Sequence, residues 1–345
     1  MNEPIKYIAK VEIKNLWGRY DIEWNLDPSV NVLSGINGSG KSTVLDCIAS
    51  IVTTGSIIKP LLDKKIRQVM VTFSNDEKIT FRRVKDSIKN LELDAKNDKN
   101  IHGLISDLKE KEGKNYKKIN SIDFGVTSFG NTQFNLEKLH KYLEFDVIST
   151  FDKLLNQNDS PHEKVKTELD KDIFFLNQKY LAYQNNILNK TVKALSNGSD
   201  LEEIKNITRK RERLLDIIDI LFKDTGKNVD RNIEGSNTDI AFISGKDTLT
   251  PYQLSSGEKQ ILVILLTVLI QNNRPTILFM DEPEISLHLD WQRKLIQYIK
   301  ELNPNVQIIL ATHSPGIILE GWSDKVSEMS DLITLDRQAK LENAK

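Results

Sequence analysis

One octapeptide limits what this chain can fold into more than any other stretch: Gly35-Ile36-Asn37-Gly38-Ser39-Gly40-Lys41-Ser42, followed directly by Thr43. Its three glycines let the backbone turn sharply enough for successive N–H groups to converge on one anion. Val30 to Ser34 before it reads as a short strand, and Val44, Leu45, Ile48, Ile51 and Val52 after it fall at helical spacing. Strand, loop, helix is the order a phosphate loop requires, because the helix N-terminus adds its dipole to the loop N–H groups. Asn37, Gly38, Ser39, Gly40, Lys41, Ser42 and Thr43 are therefore the candidate ATP-binding residues. Lys41 is placed to bridge the β- and γ-phosphates and Ser42 to ligate Mg²⁺.

A second group of motifs lies far downstream. Thr276 to Met280 is a continuous apolar run, as in a parallel strand buried on both faces, and it ends in Asp281-Glu282. The C-terminal end of such a strand is where a doubly wound sheet puts its ligands, so Asp281 is expected to hold Mg²⁺ and Glu282 to polarise the attacking water. The competing reading makes the two acids an N-cap for a helix over Trp291 to Leu302, and the glycine loop upstream argues against it. Ser255-Ser256-Gly257-Glu258-Lys259-Gln260 opens an apolar helix, and Ala311-Thr312-His313-Ser314-Pro315 closes a strand over Val306 to Thr312.

Between the two groups the pattern changes. Lys10 to Lys14 and Asp21 to Leu26 alternate as an antiparallel hairpin, and Val69 to Phe73 with Ile79 to Val84 make another. Lys85 to Asn120 is polar with weak periodicity and reads as a surface excursion. After a strand over Asp146 to Thr150 the chain turns helical. Ser160-Pro161-His162-Glu163 and Ser199 with Glu202 read as capping boxes for two helices. Leu169, Ile173, Leu176, Tyr180, Tyr183 and Ile187, then Ile204, Ile207, Leu214, Ile218 and Leu221, form their seam, with Arg211 as its one polar position. Asn232 to Gly245 reads as a polar connection.

The expected organisation is an N-terminal lobe over 1–150, an inserted helical-hairpin arm over 151–235 and a C-terminal lobe over 236–345. The 48 basic and 49 acidic residues nearly cancel, so any nucleic-acid contact must come from a local patch, such as the basic excess between Lys190 and Arg213. A solvated helix face is the competing reading of that patch. Cys47 is the only cysteine, which excludes an intrachain disulfide framework and a paired-cysteine metal hook and suits a reducing cytoplasm. Met1 to Ile13 lacks the form of a signal peptide, and the apolar run Ile261 to Ile270 is about half of what a bilayer needs, so no membrane is expected.

In order, these pieces resemble the Walker A loop, signature loop, Walker B strand and switch histidine of ABC-type ATPases, in the soluble branch that includes SMC, RecF and OLD proteins. Asp281-Glu282-Pro283-Glu284-Ile285-Ser286-Leu287-His288 and Thr312-His313-Ser314-Pro315 further resemble the stand-alone ATPases of bacterial anti-phage systems such as PARIS, Septu and some retrons.

The resemblance implies an α/β P-loop NTPase, an ABC ATPase head with an antiparallel β subdomain and an inserted arm. It implies that His313 touches the γ-phosphate and that Ser255, Ser256 and Gly257 serve the nucleotide of a second subunit. ATP hydrolysis would then require a homodimer or a higher oligomer. Ser286 to Asp290 takes the place of the D-loop, which crosses the dimer interface, with His288 as a candidate interface residue. Trp17 or Tyr20 is a candidate to stack on adenine or simply to pack the hairpin end, and Gln133 is a candidate Q-loop residue. Too little chain follows His313 for a nuclease domain, so an effector, nuclease or toxin, is expected as a separate protein. A DNA-binding ATPase of the repair or chromosome type and a transporter motor are the alternatives. The long arm counts against the transporter.

Overall fold

The computed structural model describes residues 4–56, 66–87, 105–106, 109–110, 121–130, 134–148, 153–155, 161–231 and 240–336. The chain gathers into two compact units. One holds Met1–Pro28, Leu33–Phe145 and Ser327–Lys345, and the other Ser29–Val32 and Asp146–Val326.

The first unit is built on an antiparallel sheet. Strands β1 (Ile8–Leu16) and β2 (Tyr20–Asn25) pair as the expected hairpin. After β3 (Val30–Ser34) and helix α1 (Lys41–Thr54), β4 (Gln68–Phe73) returns to β1, and β5 (Lys78–Ser87) pairs with β4. Ile8, Val11, Ile13 and Leu16 point inward from β1; their alternation breaks twice, and each break coincides with a register shift against a neighbouring strand.

Helix α1 lays Val44, Ile48, Ile51 and Val52 onto β4 and β5 and stops at Gly55, whose φ of 71° lets its N–H bond back to the Ile51 carbonyl. The polar stretch after Lys85 is partly structured. β5 runs on to Ser87 and pairs along its length with β6 (Ser121–Phe129), which the sequence reading overlooked. Helix α2 (Leu136–Tyr142) follows, capped by the Asn135 side chain.

A five-stranded sheet runs in the order β13-β3-β12-β11-β7, where β7 is Glu144–Ile148, β11 Thr276–Asp281, β12 Val306–Ala311 and β13 Val326–Glu328. Strands β11 and β12 pair in parallel from Thr276 opposite Val306 to Asp281 opposite Ala311, as the continuous apolar runs required. A short sheet of β8 (Lys227–Val229), β9 (Phe242–Ser244) and β10 (Asp247–Leu249) takes up part of the expected polar connection, and the buried Phe242 of β9 is in the core. Strand β14 (Ile333–Asp336) adds to β2 in the first sheet.

The helical hairpin is α3 (Glu168–Ser196) and α4 (Leu201–Phe222). Both start later than the sequence reading placed them. Ser160 lies outside the described residues, and the segment from Pro161 is a turn that seats the buried Val165. Thr167 is the cap, because the Asp170 carboxylate accepts from the N–H groups of both Lys166 and Thr167 while the Thr167 hydroxyl accepts from Asp170 N. At the second helix Asp200, one residue after Ser199, takes the cap through the N–H of Glu203 at 2.8 Å.

The seam is also divided. Leu169, Ile173, Leu176 and Tyr180 of α3, with Leu214, Ile218 and Leu221 of α4, belong to one core with α5 (Ser256–Ile270) and α6 (Leu289–Leu302). Tyr183, Ile187, Ile204 and Ile207 are only half-buried, so the hairpin projects from the core by its distal half alone. Helix α5 is apolar on every side, and twelve of its fifteen residues are buried between its neighbours. Each large aliphatic side chain buried there contributes about 1.5–3 kcal/mol.

Candidate functional site

In the first unit β3 delivers the chain into the glycine loop. Gly35, Gly38 and Gly40 all adopt left-handed backbone, with φ of 148°, 78° and 106°. The loop folds over its own lysine: Lys41 is 4% exposed, and its ammonium donates to the carbonyls of Gly35 at 3.0 Å and Ile36 at 3.3 Å. Asn37 and Gly38 are exposed, while Ser39, Gly40, Ser42 and Thr43 are half-buried. The hydroxyl oxygen of Ser39 is buried with no hydrogen-bond partner. Helix α1 starts from Gly40, which has no side chain to cap it. An orphaned hydroxyl, left-handed glycines and a helix start without a side-chain cap together fit a phosphate group.

Trp17, itself at φ 54°, presses its indole on this loop; a Cβ at Gly40 would sit 2.5 Å from the ring. Tyr20 carries the Arg19 guanidinium over its face at 4.6 Å, and Arg19 forks onto Asp336 at 2.8 and 2.9 Å. One face of the Tyr20 ring is thus occupied by Arg19, and Trp17 is the aromatic of the two that touches the loop. Gln133 lies outside the described residues.

In the second unit Asp281 ends β11 and Glu282 follows in left-handed backbone, φ 49°, an uncommon setting for a side chain of that size. Its N–H donates to Ala311 O at 2.8 Å, which ties the turn to the end of β12. His313, just beyond β12, brings Nε2 to 3.4 Å from Glu282 Oε1. The two side chains named as catalytic in this half therefore meet.

One residue the sequence reading left without a role lies beside them. Oε1 of Glu284 accepts from the Thr312 hydroxyl at 2.5 Å and from the N–H groups of His313 and Ser314 at 3.0 and 3.2 Å. Gln292 adds a second tie, donating to Leu287 O at 2.9 Å and accepting from the Ser314 hydroxyl at 2.5 Å. The signal for Glu284 was in the Asp-Glu-Pro-Glu run, but its partners are 28 to 30 residues away.

Ser255 caps α5 in a capping box whose Ser-x-x-Glu pattern the sequence reading passed over, its N–H and hydroxyl both donating to the Glu258 carboxylate. Ser256 is exposed and Gly257 buried. Gly257 faces the turn that follows Glu282: a Cβ there would run into the carbonyl oxygen of Ser286. Glu258 is 1% exposed and receives Lys227 at 2.8 and 3.1 Å and the Thr225 hydroxyl at 2.8 Å. Burial pushes the Glu258 carboxyl up, but Lys227, the Ser255 N–H and the Thr225 and Ser255 hydroxyls outweigh it and hold it below the usual carboxylate range. Lys259 reaches Asp170, the capping acid of α3, at 2.7 Å. His288 stands exposed at the start of α6, 3.8 Å from Asp290.

Among the described residues no cluster of three or more His, Cys, Asp or Glu stands ready for a metal.

Fold and motifs define a P-loop ATPase of mixed α/β architecture. The chain belongs to the family described as AAA domain, putative AbiEii toxin, Type IV TA system, whose model matches residues 30–320. It is 28% identical over 105 residues to the Retron Vc95 probable ATPase of Vibrio cholerae serotype O1 biovar El Tor, covering 27% of this chain and 20% of that protein. It is 36% identical over 81 residues to the Retron Ec83 probable ATPase of Escherichia coli, covering 20% and 15%. The matches thus span a fifth or less of these relatives' length. Among solved structures, an Smc head domain with an extended coiled coil bound to the C-terminal domain of ScpA, derived from Pyrococcus furiosus, aligns with 98% of both chains at 15% identity and a TM-score of 0.47. No described helix is long and apolar enough to cross a membrane.

Proposed function

We propose that this protein binds and hydrolyses ATP as a homodimer and uses its nucleotide state to control a separate effector, a nuclease or toxin, in bacterial anti-phage defence. The observation that carries hydrolysis is the Glu282–His313 pair at 3.4 Å, positioned where a buried parallel strand ends. In this reading Lys41 and the N–H groups from Asn37 to Thr43 receive the phosphates of ATP. Ser42 and Asp281 are the residues that would hold Mg²⁺, which would supply positive charge to offset that of the substrate phosphates. Glu282 accepts a proton from the attacking water, and His313 offers a hydrogen bond toward the γ-phosphate.

Ser255, Ser256 and Gly257 serve the partner subunit's nucleotide. The Ser255 hydroxyl is engaged with Glu258, so the exposed Ser256 and the N–H groups opening α5 are the better placed donors. Nucleotide state reaches the arm through two ion pairs at the first turn of α5: Lys259 with Asp170 on α3, and Glu258 with Lys227 just after α4. The retron names of two relatives support the defence setting.

Glu282→Gln tests the chemistry. Turnover should fall about 100-fold or more, while ATP still binds and ATP-loaded dimers accumulate on sizing chromatography with Mg²⁺. Unchanged turnover would remove Glu282 from the mechanism.

A further inference from the structure

We propose that Glu284 is a positioning residue whose carboxylate fixes the His313 ring against Glu282. The proposal rests on the ATPase reading above. All three donors on Oε1 of Glu284 come from His313 or its immediate neighbours: the Thr312 hydroxyl, the His313 N–H and the Ser314 N–H. Thr312 is fully buried and its oxygen also accepts from Ser314 N at 2.8 Å, so hydroxyl and carboxylate form one closed knot around the backbone of His313. The anchor on the other side is short. Glu284 lies two residues after Glu282, with the buried Pro283 between them and the Glu282 backbone in its left-handed setting.

One carboxylate thus sets where the histidine backbone lies relative to Glu282, the catalytic base. The His313 side chain, about one-third exposed, is left pointing its Nε2 at Glu282. Hydrogen bonds to an ionised acceptor are roughly twice as strong as neutral ones, so a carboxylate holds this turn more rigidly than an amide would. A glutamate that merely closed the loop would have no reason to gather its donors on both sides of one histidine.

The test compares wild type with Glu284→Gln, which keeps shape and one acceptor, and Glu284→Leu, which keeps neither. Turnover at saturating ATP should fall in that order, about tenfold or more for leucine, with KM within twofold of wild type. Thr312→Val should copy the loss, and Thr312→Ser, which keeps the hydroxyl, should restore it, so the conclusion does not depend on the folding of one variant. A second readout needs no nucleotide: carbethoxylation of His313 by diethyl pyrocarbonate, followed by peptide mapping, should be severalfold faster in Glu284→Leu and Thr312→Val. Wild-type turnover in Glu284→Leu, or an unchanged His313 modification rate, would overturn the proposal. If wild type itself does not hydrolyse ATP while the modification rates still separate, the ATPase reading fails and the positioning role stands.

Discussion

At Gly257 a single methyl group sets two effects against each other. The residue is in the first turn of α5 with ordinary helical backbone, so alanine should favour the helix by about 1 kcal/mol. The added carbon, however, would meet the Ser286 carbonyl oxygen, which belongs to backbone and cannot swing away. Overpacking of that kind costs about 1–3 kcal/mol, so it wins. Gly257→Ala should lower the urea midpoint of unfolding and displace either the signature turn or the segment from Ser286 to Asp290. A midpoint at or above wild type would mean that the two backbones do not approach this closely. The resemblance marked Gly257 as a candidate signature residue but not this second duty, because the duty depends on a contact with a residue outside its own motif.

At the scale of elements, the clearest dependence is that of α5 on the segments flanking the hairpin. Glu258 is buried at the helix start, and Lys227 is the cation that keeps it charged. Lys227→Met leaves the carboxylate buried without that cation. The loss should be about 2 kcal/mol at pH 7, less than for a fully buried pair because Lys227 keeps some exposure. The pH dependence has a definite sign. With its carboxyl held low, Glu258 stabilises the wild-type fold above the ordinary carboxylate range, and that contribution is lost as pH falls through the folded value. In the variant the burial penalty on the charged form loses its largest offset, and protonation relieves what remains of that penalty. The gap in melting temperature between the two proteins should therefore shrink from pH 7 toward pH 4; a constant gap would mean that Lys227 acts by packing.

The elements also show what was legible. Strands β1, β2, β4, β5, β11 and β12, helix α1 and the two arm helices came from local periodicity, and the parallel pairing of β11 with β12 came from their unbroken apolar runs. Strand β6 carried a usable signal in the alternation of Ile122, Phe124 and Val126, but it follows a long polar stretch and was passed over. Strands β13 and β14 are three and four residues long and exist only because distant strands accept them. The arm caps fall elsewhere by local rivalry: Thr167 starts the first helix because Asp170 accepts two N–H groups there, and Asp200 rather than its neighbour Ser199 accepts the N–H of Glu203.

At the scale of the whole molecule the proposal stands or falls on whether one subunit completes its partner's site. Lys41 belongs to the phosphate loop and Ser256 to the signature turn, so their defects are assigned to different roles. Lys41→Ala should weaken a subunit's own nucleotide binding. Ser256→Arg, at an exposed position, should leave binding intact and block closure by setting a bulky cation where the partner's γ-phosphate belongs. Each variant alone should be inactive. In a mixed dimer one composite site carries both defects and the other carries neither. With equal amounts and free exchange half of the dimers are mixed, and each keeps one of its two sites, so about a quarter of wild-type turnover should return. The measurement is phosphate release from each variant and from the mixture after incubation long enough for subunits to exchange. Return of activity requires residues from two chains to act on one ATP. Normal turnover by Ser256→Arg alone would show that a subunit needs no signature from its partner, and a silent mixture whose exchange has been verified would show that both sites must fire together.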